Sequence, residues 1–274
     1  MHKDHLVIIA GMPRAGTTYM YKTLALHPDM YMPEIKETNY FSYNHTKGEE
    51  WFEKIYQKAQ NEQKYFDVSP FYFLDPNAIE RIKSFNSNQK VILLLRNPND
   101  WIKSFYKQIL TQSYSIGTFE TFAKKYEIKF ESSILSIDFK NFDFIVKVEQ
   151  FKQAFSGNLM LIDFTHFENN KLNVLQEIEK FIGVTSFFND GNVIQEKINA
   201  GNRKNNKFIT YLSTLSILRT IAFTCLPKSF IHYIRNKYIL GKPNITEELP
   251  LPDIYPQKNI FLESYFQKSG IVYC

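Results

Sequence analysis

The sequence predicts an α/β fold, a central parallel sheet flanked by helices, followed by a helical, basic section. Three observations carry that prediction. Residues 6–10, 91–95 and 159–164 form short apolar runs, the pattern of strands buried on both faces. Stretches of helical period separate them, the alternation that builds a parallel sheet. Gly, Pro and Asn mark the passages from the first two strands into their helices.

Taken in order, residues 6–10 pass through a Gly/Pro turn into a helix over 17–26. Met20 and Leu24 share one face of that helix, and His27-Pro28 ends it. Residues 91–95 pass through Asn97-Pro98-Asn99 into a helix over 100–110, with Trp101, Phe105 and Ile109 on one apolar face. Residues 159–164 lead to a helix over 172–182 that stops at Gly183. One domain over 1–274 is expected, its core ending near residue 198.

Composition bounds the function. The chain has 274 residues, 44% hydrophobic and 16% aromatic, enough for a sizeable core, which excludes a disordered protein. Cys225 and Cys274 are the only cysteines, so a disulfide framework is excluded and a reducing compartment fits. The apolar run before Gly11 is too short for a signal peptide. Residues 208–226 are apolar but interrupted by Arg219, which favours a core or lid helix over a spanning one. A cytoplasmic location is expected, with peripheral contact to the inner face of the membrane through 208–242. The net charge of +5 comes from 33 Lys and Arg against 28 Asp and Glu. Residues 200–245 hold eight of those bases and no acid, leaving 25 against 28 elsewhere. General nucleic-acid affinity is therefore not expected.

The first chemical motif is Gly11-Met-Pro-Arg-Ala-Gly-Thr-Thr18, between a strand and a helix. Such a loop presents backbone N–H groups and the positive helix end to an anion. The two glycines have the spacing of a nucleotide-binding P-loop, so the domain is expected to be P-loop-like with three layers. Thr17 stands where a triphosphate-hydrolysing P-loop has lysine, which weighs against a kinase. A tight turn with chance Gly and Thr is the plain alternative. The second motif places Arg96 at a strand's carboxyl end, where α/β sheets bind ligands, and Ser104 one turn into the next helix. A guanidinium and a hydroxyl so placed can share a phosphate.

Together these motifs resemble the sulfotransferases that use 3′-phosphoadenosine 5′-phosphosulfate (PAPS), and most closely the bacterial and Golgi-type carbohydrate branch. The similarity extends over residues 6–204, through Pro33-Glu-Ile-Lys-Glu-Thr-Asn-Tyr-Phe41, Asp67-Val-Ser-Pro-Phe-Tyr72 and Asn199-Ala-Gly-Asn-Arg-Lys204. The resemblance implies that Arg14, Ala15, Gly16, Thr17, Thr18 and Tyr19 hold the 5′-phosphosulfate. It implies that Arg96 and Ser104 hold the 3′-phosphate, and that Arg203 and Lys204 close over the nucleotide. It also implies Glu37 as general base, with Lys36 beside it near the transferring group; His45 and Glu34 are weaker candidates. Arginine stays charged at neutral pH, so a catalytic Arg14 would act electrostatically. The donor would be PAPS, the product 3′,5′-adenosine diphosphate, and the acceptor a glycan, glycolipid or other hydroxyl-bearing molecule. No metal is implied, and the six His show no ligand spacing. Val68 departs from the Lys or Thr frequent in relatives, and 265–274 has no family counterpart. The competing classes are a P-loop kinase and a non-catalytic module that binds anionic surfaces.

Overall fold

The computed structural model describes residues 1–60, 63–112, 117–129, 134–194, 251–255, 265–266 and 270–274. Arg203, Lys204 and the 208–242 stretch lie outside the described residues. Strands β1 (Leu6–Gly11), β4 (Lys90–Leu95) and β7 (Leu159–Asp163) form from the three apolar runs. Strands β2 (Met30–Tyr31), β3 (Lys64–Val68) and β8 (Ile271–Tyr273) complete a six-stranded sheet of order β2-β3-β1-β4-β7-β8. The first five strands are parallel, with Val7 opposite Phe66 and Lys90, and Val91 opposite Leu159. Every residue of β1 is buried, as befits a central strand covered on both faces.

Helices α1 (Thr17–Leu24), α2 (Glu49–Ile55) and α3 (Ala78–Phe85) belong to the β1–β4 half of the chain. Helix α4 (Pro98–Gln112) follows β4, and α5 (Phe119–Lys124) precedes a two-stranded antiparallel hairpin, β5 (Tyr126–Lys129) and β6 (Ile134–Ile137). Helices α6 (Phe144–Ala154), α7 (Phe164–Asn169) and α8 (Lys171–Ile182) surround β7. Local chemistry sets their ends. Asp143 caps α6 by accepting from the amides of Ile145 and Val146, and Asp163 caps α7 through His166 N. Gly183 ends α8 at φ 76°, where the sequence placed the stop. Helix α1 ends two residues short of expectation: Leu26 and His27 donate to Thr23 O and Leu24 O in tight turns ahead of Pro28. On α4, Trp101 and Phe105 are buried against Phe139, and Trp101 also meets Phe144. Among the described residues no helix is long and apolar enough to cross a membrane.

Three strands of this sheet were not visible as apolar runs, among them the two-residue β2. Strand β3 carries a buried charge, Asp67, in the middle of its pattern. Strand β8 comes from the chain's last residues and adds an antiparallel edge, with Leu161 opposite Val272.

Lys147 is a buried ammonium whose Nζ donates to Asp75 O at 2.9 Å. Burial lowers its pKa to about 8, with the Asp75 charge opposing that shift. The unfolded chain therefore holds this proton to higher pH than the native one, and stability should rise between pH 8 and the ordinary lysine value of 10.5. Urea titrations at pH 7.5 and pH 9.5 should show that gain in the wild type and its loss in Lys147→Met.

Candidate functional site

The chain runs from β1 to β3 on one side and then crosses to β4 on the other. A crevice is expected outside the carboxyl ends of the strands at such a reversal. A cleft of about 760 Å³ lies there, lined from four strand ends: Pro13 and Arg14 after β1, Pro70 and Phe71 after β3, Arg96 after β4, and Phe164 after β7.

The loop after β1 is shaped by its glycines. Gly11 has φ 135°, and a Cβ on it would lie 2.2 Å from Leu94 O, so only glycine lets β1 ride this close to β4. Gly16 begins α1 at φ 88°, and a Cβ there would meet Phe167 at 2.8 Å. Gly16 O accepts the first helical bond, from Met20 N at 3.1 Å. The amides of Thr17, Thr18 and Tyr19 precede that bond and have no intrahelical acceptor. They open at the helix's positive end into the cleft, a cradle for an anion.

Two guanidiniums sit beside this cradle. Arg14, at φ 73°, donates from Nε to Ser104 Oγ at 3.5 Å. Arg96 donates to Arg14 O at 3.1 Å and lies 4.6 Å over the Phe164 ring. Ser104 faces them from α4, two turns in because the helix starts at Pro98 and not near residue 100. Burial lowers the pKa of both arginines; Asp100 and Glu168 oppose this for Arg96, and Arg14 adds to it. Among the described residues neither forms a salt bridge. Two half-buried cations without a carboxylate partner and an open helix end together fit a ligand with two phosphate-like groups. Lys171, at the start of α8, extends the positive region and lies 5.0 Å over the Tyr19 ring.

Glu37 lines the same cleft. Its segment is held by a buried carboxylate. Asp67, with zero exposure, accepts from Thr38 Oγ1 at 2.7 Å, Tyr72 OH at 2.5 Å and Ser69 Oγ at 2.6 Å. Tyr72 OH and Ser69 Oγ in turn accept from Phe41 N and Asn39 N. Glu37 and Asn39 have φ of 65° and 49°, and Asn39 Nδ2 donates both to Glu37 O and to Tyr43 OH. Thr38 is thus anchored inward while Glu37, on the preceding residue, turns to the cleft. Burial raises the Asp67 pKa, against the pull of its three hydroxyl donors. Burial also raises the Tyr43 phenol to about 12, helped by the charges of Glu37 and Asp67.

A family model described as the sulfotransferase domain matches residues 4–222, most of the chain. The chain belongs to the sulfotransferase domain family. Bifunctional heparan sulfate N-deacetylase/N-sulfotransferase 4 of Mus musculus is 27% identical over 205 residues, 68% of this chain and 23% of the relative. Heparan sulfate glucosamine 3-O-sulfotransferase 3B1 of Homo sapiens is 29% identical over 118 residues, 43% of this chain and 30% of the relative. The chain thus spans less than a third of the length of these relatives. The solved sulfotransferase from Alicyclobacillus acidocaldarius shares the fold at TM-score 0.55 and 18% identity, covering 82% of this chain and 98% of that one.

In this sulfotransferase domain the cleft gathers Arg14, Gly16, Thr17, Thr18, Tyr19, Glu37, Arg96 and Ser104 from the sequence-predicted set. Among the described residues, two members of that set fall outside its lining. Ala15 is fully buried and its amide donates to Met12 O at 3.1 Å, so it packs the turn and presents nothing to a ligand. Lys36 does not line the cleft either; its ammonium bonds Glu37 Oε1 from outside. Of the weaker candidates, Glu34 pairs with Lys58 on the surface, and His45 lies against Tyr40. The sequence reading missed Tyr43, Phe71, Tyr126, Ile128, Phe164, Glu168 and Lys171. Phe164 could have been found, since it ends the third apolar run as Arg96 follows the second. The hairpin residues offered no such signal.

Asp67→Ala should cost about 3 kcal/mol of stability, because three hydroxyl donors lose a buried acceptor together. Denaturant unfolding of the purified variant measures it.

Proposed function

We propose that this chain transfers a sulfuryl group from PAPS to a hydroxyl, less readily an amine, of a glycan or glycolipid. The observation that supports the reading most is the pairing, across one cleft, of a twin-arginine anion cradle with the carboxylate of Glu37. When bound, PAPS supplies the sulfuryl group and a nucleotide leaving group. The Thr17, Thr18 and Tyr19 amides would hold its 5′-phosphate side, and Arg96 with Ser104 its 3′-phosphate. Arg14 remains a cation and stabilises charge as it collects on the leaving oxygen. Glu37 takes the proton of the acceptor hydroxyl, and Lys36 donates a hydrogen bond to its carboxylate. The Asp67 cluster keeps Glu37 in place, so catalysis rests on positioning and electrostatics, as in phosphoryl transfer. The kinase alternative lacks the loop lysine that a triphosphate needs, with Thr17 in its place. A cytoplasmic setting beside a membrane, supported by the basic and apolar 208–242 sequence, completes the proposal.

Calorimetry should detect 3′,5′-adenosine diphosphate and little or no ATP with Mg²⁺. Arg96→Ala should weaken the former about tenfold or more, the scale of a lost charged hydrogen bond; unchanged affinity would remove Arg96 from the phosphate site. Glu37→Gln should keep nucleotide affinity and lower kcat about 100-fold or more, the range of a lost general base. Wild-type turnover in that variant would reject Glu37 as the base.

A further inference from the structure

The cleft has two chemically different halves. Its described cations, Arg14, Arg96 and Lys171, all cluster around the anion cradle. The rest of the lining includes Glu37 and an apolar set, Phe71, Phe105, Ile109, Tyr126 and Ile128, with Gln108 among them; Phe71 adjoins Tyr72, whose OH bonds Thr38 beside Glu37. Phe71 and Phe105 have ring centroids 6.3 Å apart, and Phe105 and Tyr126 5.5 Å, so the buried Phe105 ring packs between the two partly exposed ones. The apolar set extends outward along α4: Ile109 lies about 7 Å farther along the helix axis than Ser104. The hairpin strand β5 is sided. Tyr126 and Ile128 alternate onto the cleft face, while Glu127 between them pairs with Lys125 at 2.7 Å. Lys36, the cation nearest in sequence to Glu37, is bonded to that carboxylate and absent from the lining.

A polyanionic glycan laid against this half would give up the hydration of its sulfates or carboxylates. It would meet Glu37, already paired with Lys36, and beyond Arg14, Arg96 and Lys171 no described cation lines the cleft to compensate its charges. An apolar group laid there would lose only unfavourable contact with water. We propose that the acceptor is an uncharged amphiphile: an alcohol or neutral sugar whose reactive hydroxyl reaches Glu37 and whose attached apolar group lies on the Phe71–Tyr126 wall. This rests on the sulfotransferase reading and departs from the heparan sulfate named for the relatives.

The test uses the full chain saturated with 3′,5′-adenosine diphosphate and titrated calorimetrically with octyl β-glucoside below its micelle concentration, methyl β-glucoside, and a heparosan oligosaccharide. Octyl glucoside should bind at least about tenfold tighter than methyl glucoside, and heparosan no tighter than methyl glucoside. Ile128→Ser and Phe71→Ser should each erase most of the octyl preference while leaving nucleotide affinity unchanged, which shows that the variants are folded. Absent octyl glucoside binding, equal binding of the two glucosides, heparosan binding as tight as octyl glucoside, or an octyl preference surviving in both folded variants would overturn the inference. The wild-type comparison decides the matter even where a variant does not fold. Failure of the wild type to bind 3′,5′-adenosine diphosphate would instead overturn the sulfotransferase reading, and this inference with it.

Discussion

At Gly11, strands β1 and β4 approach so closely that any side chain there would overlap the Leu94 carbonyl. The rest of the site depends on this approach. It brings the loop after β1 beside the end of β4, where Met12 N donates to Leu94 O and Arg96 N to Met12 Sδ. Arg96 can then reach back to Arg14 O, and Ser104 on α4 can reach the Arg14 guanidinium. A wider spacing would separate two cations that now line one cleft. The parallel register on both sides of β1 carries the same effect to β3 and β7, so that four loops open at one edge.

Electrostatically the cleft is built ahead of its ligand. Burial works against the charge of Arg14 and Arg96, yet neither pairs with a carboxylate among the described residues. Such an arrangement costs stability in the free protein and is relieved by an anionic ligand, the usual form of a preorganised site. The arginine stacked on Phe164 shows why Arg suits this position: its flat, weakly hydrated group can lie on a ring and still fork toward a phosphate.

The Glu37 segment is held by a different device. Asp67 gathers three hydroxyls, and these fix Thr38 and the amides of Asn39 and Phe41. Two left-handed residues on either side of Thr38, Glu37 and Asn39, become tolerable because the buried network at Thr38 over-determines the backbone. Tyr126 and Ile128 of the hairpin strand β5 add apolar side chains to the lining.

By itself the sequence determined the central strands, the anion loop and the strand-end arginine. Each is a local pattern: an apolar run, a glycine spacing, or a charge at the end of a run. The buried strand β3 was hidden because its carboxylate is satisfied by Thr38, a residue 29 positions earlier. The edge strand β8 was hidden because three residues carry no period until β7 offers a ladder. Ala15 and Lys36 looked functional from their neighbours in sequence, and only packing showed one turned into the core and the other bonded outside the cleft. Tertiary structure alone decided the apolar part of the cleft lining, since Phe71, Ile109 and Tyr126 come from three distant segments brought together only by folding.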